Sequence, residues 1–176
     1  MRALGLDPVH DTRAAFRGLC SAMSRPGTVE GVPAPADHAV LAALVDHEVT
    51  VATPDEEVRG ALDREGRLNE AAPDTADVVH TRGAPEWDVR DAKRGSLTEP
   101  SDGATIVYRV DSVRQGTPIR LQGPGVPGTR TAAVTLPPPE LRALATAQPY
   151  PRGVDAVFAD REQVLAVPRS AGLEVA

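Results

Sequence analysis

Cysteine and lysine are almost missing from this sequence, which has one of each, Cys20 and Lys93, among 176 residues. A lone cysteine cannot close an internal disulfide, which agrees with a reducing compartment, and it cannot build a cysteine metal site by itself. The other 18 basic residues are arginines. Lys93 is therefore the only side chain that could form a Schiff base with an aldehyde cofactor.

Long apolar runs are missing as well. No run approaches the ~20 residues that cross a bilayer, and residues 1–10 lack the charged-then-apolar plan of a signal peptide. The net charge of -6 repels phosphate backbones and anionic lipid headgroups, and no basic run compensates for it. We therefore expect a cytoplasmic protein that binds neither nucleic acid nor membranes. Its length suits a single domain over residues 1–176.

Helix and strand patterns are mixed along the chain. Apolar residues at helical spacing predict helices at residues 12–24, 36–45 and 138–147, and another that starts with Thr53 as N-cap and runs through Leu62. Short apolar or alternating runs predict strands at residues 49–52, 76–79, 104–110, 119–121, 154–159 and 164–167. We expect residues 104–110 and 119–121 to form an antiparallel hairpin through Gln115-Gly116. The order favours a three-layer α/β/α fold with a mixed sheet covered by helices on both faces, and α+β is the alternative.

Motifs that would identify a catalytic site do not occur. Residues 123–128, Gly-Pro-Gly-Val-Pro-Gly, suggest a phosphate loop, but two prolines remove amide donors and no Gly-Lys-Ser/Thr ending follows, so we expect a structural turn. The four histidines lack the paired spacing of metal ligands. Cys20 shares a helical stripe with Phe16 and Met23, which predicts a buried, inert thiol rather than a nucleophile.

Arginines near turns are the better candidates for a site. Arg17, Arg25, Arg152 and Arg169 each lie near a turn or a proline, where a guanidinium can fork onto a carboxylate or a phosphate group. Asp46 lies in a polar cluster, which is either an ordinary charged helix end or a ligand-binding carboxylate. Arginines that only keep the surface solvated are the alternative.

Several of these segments occur together in one known family. Phe16-Arg17 followed by residues 22–27, AMSRPG, resembles the N-terminal pattern of the phosphonate metabolism protein family PhnH. Residues 44–46, 103–105 and 119–126 resemble later blocks of that family in the same order. The final blocks, residues 149–155 (PYPRGVD) and 165–169 (LAVPR), are similar to its C-terminal segments. The resemblance is weakest at residues 55–100.

This resemblance implies a subunit of the carbon-phosphorus lyase core complex, which breaks down organic phosphonates for phosphate acquisition and contains G, I and J subunits. The radical chemistry of that complex, with S-adenosylmethionine and an iron-sulfur cluster, is attributed to the J subunit. One cysteine cannot ligate such a cluster, so a non-catalytic assembly subunit is expected here. The resemblance also implies a homodimer when the protein is isolated, and a fold similar to the large domain of pyridoxal-phosphate transferases. No cofactor is expected, because Lys93 lies in a charged segment that predicts a solvent-facing side chain.

Two other functions stay open. The chain could be an enzyme that uses the region of Arg25, Asp46 and Arg152 to bind a small anion, or a free-standing regulator that binds a metabolite there. Including Asp155 from the matched C-terminal block, the predicted ligand or interaction patch has six members: Arg17, Arg25, Asp46, Arg152, Asp155 and Arg169.

Overall fold

The computed structural model describes residues 4–176. The helices in this part of the chain are α1 (His10–Ser24), α2 (Ala36–Leu44), α3 (Glu56–Arg64) and α4 (Pro138–Thr146). The strands are β1 (Val29–Gly31), β2 (Val51–Ala52), β3 (Val78–Arg82), β4 (Thr105–Arg109), β5 (Thr117–Gly123), β6 (Val126–Val134), β7 (Asp155–Ala159), β8 (Gln163–Val167) and β9 (Gly172–Val175).

Six of these strands form the main sheet, in the order β1-β8-β7-β4-β3-β2. Strands β2, β3, β4 and β7 run parallel to one another, while β8 is antiparallel to both β7 and β1. The predicted mixed sheet is therefore confirmed. A second sheet contains three antiparallel strands in the order β6-β5-β9.

Both faces of the main sheet are buried. Successive side chains of a strand point to opposite sides, and neighbouring residues of β3 and β4 pack in two different apolar clusters. Val78 and Val107 pack in one apolar cluster with α1, α2 and α3. Val79 and Ile106 pack in the other with α4 and the second sheet. Helices thus lie on both faces, as expected, but one outer layer is shared between α4 and a sheet that the sequence did not predict.

The predicted hairpin between residues 104–110 and 119–121 is wrong. Strand β4 lies in the middle of the main sheet, between β3 and β7, and is parallel to both. Strand β5 pairs instead with β6 and β9 in the second sheet. The reason is the burial of β4 on both faces, with Ile106, Val107 and Tyr108 all inaccessible to solvent. Such a strand belongs in a parallel sheet that is covered on both sides.

Helix α1 begins two residues before its predicted start at Thr12, ends as predicted at Ser24, and presents a different face to the core. Its buried residues are Ala15, Leu19 and Ala22, whereas Phe16 is 54% exposed and Cys20 is exposed. Small side chains let the helix backbone approach closely: a Cβ added at Gly18 would lie 2.6 Å from Cγ1 of Val32. The prediction of a buried Cys20 is therefore wrong.

Two turns differ in detail from the prediction. Helix α3 is capped by Asp55, whose carboxylate accepts from the amides of Glu57 and Val58, and not by Thr53. The glycine-rich segment 123–128 does hold a turn, between β5 and β6, although its second half already belongs to β6. Gly125 has φ +78°, and a Cβ there would lie 2.4 Å from the carbonyl oxygen of Ser24. This position therefore requires glycine.

Candidate functional site

A buried polar centre lies at the carboxyl end of the parallel strands. Asp37 and His38 come from the first turn of α2, Thr53 follows β2, Asp55 caps α3, and His80 lies within β3. All five residues are buried. In open α/β sheets, ligands bind beyond the carboxyl ends of the strands, so this is the edge at which a site is expected.

His80 joins two members of the centre. Its Nε2 lies 3.2 Å from Oδ2 of Asp37, and its Nδ1 lies 2.9 Å from Oγ1 of Thr53. A carboxylate can only accept hydrogen bonds, so Nε2 donates to Asp37. In the neutral ring Nδ1 is then the acceptor, and the Thr53 hydroxyl donates to it. The amide of Asp55 in turn donates to Oγ1 of Thr53 at 3.1 Å.

Two arginines at the ends of neighbouring strands complete the centre. Arg82, the last residue of β3, forms an ion pair with Oδ2 of Asp55, and Nη1 of Arg109, at the end of β4, lies 3.8 Å from Oδ2 of Asp37. The Nε2 atom of His38 lies between the two carboxylates, at 3.7 Å from Asp37 and 3.9 Å from Asp55. The centre is therefore held by opposite charges from four elements.

The charges and hydrogen bonds of the buried polar centre shift the pKa values of Asp37 and Asp55. Burial raises the pKa of Asp37, but the hydrogen bond with His80 and the nearby positive charges outweigh burial, so this pKa lies below its ordinary value. The pKa of Asp55 is also lowered, because the ion pair with Arg82 and the two amide hydrogen bonds outweigh its burial. Both groups are therefore carboxylates at neutral pH. Within residues 4–176, Oδ1 of Asp37 and Nε2 of His38 have no hydrogen-bond partner.

A cavity of about 600 Å³ opens beside this centre. Thr53 and His80 line it together with Arg82, and apolar surface comes from Trp87 and from three prolines at positions 54, 73 and 85. The loop that follows β3 supplies Trp87, so the cavity lies between the ends of β2 and β3 and that loop. Its volume is in the range of pockets that hold small molecules.

The hydroxyl of Thr53, the imidazole of His80 and the carboxylate of Asp37 are linked in a row by hydrogen bonds. Hydrolases use the same sequence of groups to activate a nucleophilic hydroxyl. The imidazole of His80 can accept the proton of Thr53, and Asp37 can stabilise the imidazolium that results. The sequence did not reveal this group. Its members are up to 43 residues apart in the sequence. Taken singly, each of them indicates only the start of a helix, a strand or a turn.

The predicted patch is divided by the fold. Its two C-terminal members meet: Arg169 donates from its guanidinium and its backbone amide to the carboxylate of Asp155, and both side chains are largely buried. The guanidinium also donates to the carbonyl oxygens of Pro100 and Gly103. Arg169 thus ties together three segments at the amino end of the parallel strands, opposite the buried polar centre.

The other four members lie apart from this pair. Arg25 forms an ion pair with Glu30 at 2.8 Å. Asp46 accepts from the amides of Glu48 and Val49, which turn the chain between α2 and β2. Arg17 and Arg152 are exposed. Among residues 4–176, no hydrogen bond or ion pair joins these four to one another or to the Asp155–Arg169 pair.

Lys93 is not the solvent-facing side chain that the sequence predicted. Its ammonium lies 2.6 Å from Oδ1 of Asp77 and 2.5 Å from Oδ1 of Asp102, and its side chain is only 25% exposed. Hydrogen bonds to both carboxylates raise its pKa. A Schiff-base lysine must be neutral to react, so this residue does not suit pyridoxal phosphate.

Two further properties concern the described part of the chain. Over residues 4–176, no group of three or more His, Cys, Asp or Glu side chains is arranged to hold a metal ion. None of the helices in this range is both long and apolar enough to cross a membrane.

The fold defines an α/β protein with a mixed sheet, and its buried polar centre lies at the carboxyl end of the parallel strands. The chain belongs to the family described as Bacterial phosphonate metabolism protein (PhnH), which residues 5–174 match.

Two curated proteins are similar to nearly the whole chain. The "Putative C-P lyase subunit protein HtxG" of Stutzerimonas stutzeri is 30% identical over 164 residues, which cover 90% of this chain and 83% of that protein. The "Alpha-D-ribose 1-methylphosphonate 5-triphosphate synthase subunit PhnH" of Rhizobium meliloti (strain 1021) is 30% identical over 187 residues, covering 96% of this chain and 92% of the relative.

Proposed function

We propose that this chain is a subunit of a carbon-phosphorus lyase complex in phosphonate catabolism, and that it contributes to assembly rather than to the bond-breaking chemistry. The observation that carries the proposal is the family match over residues 5–174, joined by two relatives that are both named as subunits. In this proposal the partners are the G, I and J subunits, and the complex is cytoplasmic. The role of this complex is to supply phosphate from phosphonates.

The inventory of side chains supports an assembly role. One cysteine cannot supply the three or four thiolates that an iron-sulfur cluster needs. Lys93 is held between two carboxylates, which does not suit a Schiff base. The proposed likeness to the large domain of pyridoxal-phosphate transferases therefore concerns architecture and not cofactor chemistry.

Growth on a phosphonate tests this proposal. A strain that lacks its own H subunit, but keeps the rest of the lyase genes, is supplied with this chain and with methylphosphonate as the sole phosphorus source. We expect growth to be restored, and the variants Thr53→Val and His80→Gln to restore it equally when immunoblots show equal amounts of protein. Failure of the wild-type chain, expressed at a normal level, would contradict the subunit role.

The same proposal includes a homodimer in the isolated protein, which forms through helices and the sheet edge and gives way to a partner contact in the complex. Light scattering over a range of protein concentrations tests this part. A monomer mass throughout that range, with no change on dilution, would remove the dimer from the proposal.

A second candidate is binding of a small molecule, with or without its conversion, and the cavity beside His80 is the observation that favours it. Arg59 is paired with Glu70, and Arg82 with Asp55, so most charge at the cavity is already neutralised. The site therefore suits a ligand with a flat apolar part against Trp87 and one polar group near Thr53.

Trp87 is the only tryptophan, so its fluorescence reports on this cavity directly. Titration of the isolated protein with phenylphosphonate, which has a flat apolar ring and one polar group, should leave the emission unchanged if the chain acts only in assembly. A saturable change that the Thr53→Val variant loses would favour the second candidate. In that case the same Thr53→Val variant should also fail to restore growth.

A further inference from the structure

Helix α1 has an apolar strip on the side that faces away from the core. Val9 and Phe16 are 66% and 54% exposed, and Cys20, one turn beyond Phe16, is exposed as well. Arg13 and Arg17 lie beside them, also exposed. Positions 9, 13, 16, 17 and 20 follow helical spacing and therefore share one side of the helix. We refer to these five residues as the α1 outer face.

This exposure follows from how α1 packs. The opposite side of the helix is already buried through Ala15, Leu19 and Ala22, so rotation of the helix to bury Phe16 would expose them. The chain has only two phenylalanines, and the other one, Phe158, is fully buried in the main sheet. A large aromatic side chain held out in water at the centre of a helix is characteristic of contact surfaces.

The charge of the α1 outer face is opposite to that of the whole protein. The chain carries a net charge of -6, yet Arg13 and Arg17 have no carboxylate of residues 4–176 within ion-pair distance. Two copies related by a two-fold axis through this face would bring arginines close to arginines, which disfavours a second copy as its occupant. An acidic partner would instead neutralise both arginines.

We propose that the α1 outer face, which is separate from the self-contact surface of the proposed homodimer, docks on another subunit of the lyase complex. The partner surface has an apolar pocket that receives Phe16 and carboxylates at its rim that pair with Arg13 and Arg17. Cys20 becomes buried at this contact. The inference rests on the proposed subunit function and adds to it the location and the chemistry of the contact.

The single cysteine makes this contact measurable. Alkylation of Cys20 by a maleimide should be complete and fast in the isolated protein, because the thiol is exposed and nothing else in the chain reacts as a thiol. In the complex purified after co-expression with the G, I and J subunits, we expect labelling of this cysteine to slow at least tenfold. Chain already labelled with a bulky maleimide should no longer assemble.

Variants test the two parts of the face separately. Phe16→Asp removes the apolar anchor, and the double change Arg13→Glu with Arg17→Glu reverses the charge. We expect both to reduce co-purification at least tenfold while leaving the melting temperature of the isolated protein unchanged. Leu97→Asp and Arg152→Glu are the matched controls, because Leu97 is 74% exposed and Arg152 is exposed elsewhere on the molecule. Both controls should co-purify normally.

The outcomes separate this inference from the function on which it rests. If the wild-type chain enters no complex, both are wrong. If the wild-type complex forms but Cys20 stays reactive within it, or if the Phe16 and arginine variants assemble like the controls, only the α1 outer face is overturned. Slow labelling of the isolated protein that becomes fast on dilution would show that a second copy covers this face, which also contradicts the inference.

Discussion

His80 and Asp37 form a buried contact between the middle of β3 and the first turn of α2, with Nε2 and Oδ2 separated by 3.2 Å. The contact joins the sheet to the helix layer at the edge where the cavity opens. Because both side chains are almost fully buried, each depends on the other to satisfy its polar atoms.

Removal of the carboxylate should therefore destabilise the protein. We expect Asp37→Ala to lower the free energy of unfolding by about 3 kcal/mol, since it leaves the Nε2 proton of His80 buried and unpaired. Asp37→Asn should cost less, because its amide oxygen can still accept that proton. Asp63→Ala, at an exposed position of α3, is the control and should stay within about 0.5 kcal/mol. Urea unfolding at pH 7 measures all three, and an Asp37→Ala variant as stable as the control would contradict the contact.

Acid should weaken the same centre. The folded-state pKa of Asp37 and of Asp55 lies below the ordinary value of about 3.9 that applies in the unfolded chain. Their contribution to stability is therefore fully present above that value and is lost as pH falls through the lower folded-state pKa. The urea midpoint of the wild type should fall more steeply below pH 4 than that of Asp37→Asn. Parallel curves for the two proteins would rule out this assignment.

Glu140 should show the opposite dependence on pH. Burial raises its pKa, and the hydrogen bond from the hydroxyl of Tyr108 only partly offsets burial. A raised folded-state pKa gives stability that is present below the unfolded value of about 4.3 and is lost as pH rises through the folded-state pKa. Glu140→Gln keeps an acceptor for Tyr108 without a buried charge. We expect it to be at least as stable as the wild type at pH 8, with the advantage disappearing at pH 4.

A matched variant, Glu140→Ala, separates charge from hydrogen bonding. It leaves the buried hydroxyl of Tyr108 without its acceptor and should destabilise the protein at both pH values, by about 1–3 kcal/mol. If Gln and Ala at this position behave alike across the pH range, the hydrogen bond between Tyr108 and Glu140 contributes nothing measurable.

Arg169 should not tolerate lysine. Its planar guanidinium serves Asp155 and two carbonyl oxygens at once, which a lysine ammonium cannot do from one position. We expect Arg169→Lys to lower the free energy of unfolding by about 2 kcal/mol. Arg152→Lys, exposed and outside this network, is the control and should be neutral. Thermal unfolding of both proteins tests this. Equal melting temperatures would show that the contacts of the Arg169 guanidinium are not needed for stability.

Helices and strands with a clear local pattern of apolar residues can be predicted from this sequence, and strands without such a pattern cannot. Helices α1, α2 and α4 have periodic apolar residues and were located within two residues at either end. Strand β6 was missed because Pro127 and Gly128 at its start are typical of a loop. The pairing of β4 could not be predicted from alternation alone, since a strand buried on both faces gives no signal that identifies its neighbours.

The sites show the same division. The sequence places Arg169 near a turn, but its contacts with Asp155 and with two carbonyl oxygens depend on segments up to 69 residues away. The face of α1 was misjudged because an apolar stripe through Phe16 and Cys20 normally faces the core. Only packing against α2 and β8, through small residues on the other side, turns that stripe outward.

Native mass spectrometry of the chain co-expressed with the G, I and J subunits tests whether this protein is a subunit of the lyase complex. We expect one complex that contains all four chains. When Phe16 is replaced by aspartate, we expect the remaining complex to lack this chain. Recovery of this chain only as a monomer or a homodimer, beside a complex of the other three, would contradict its role as a lyase subunit.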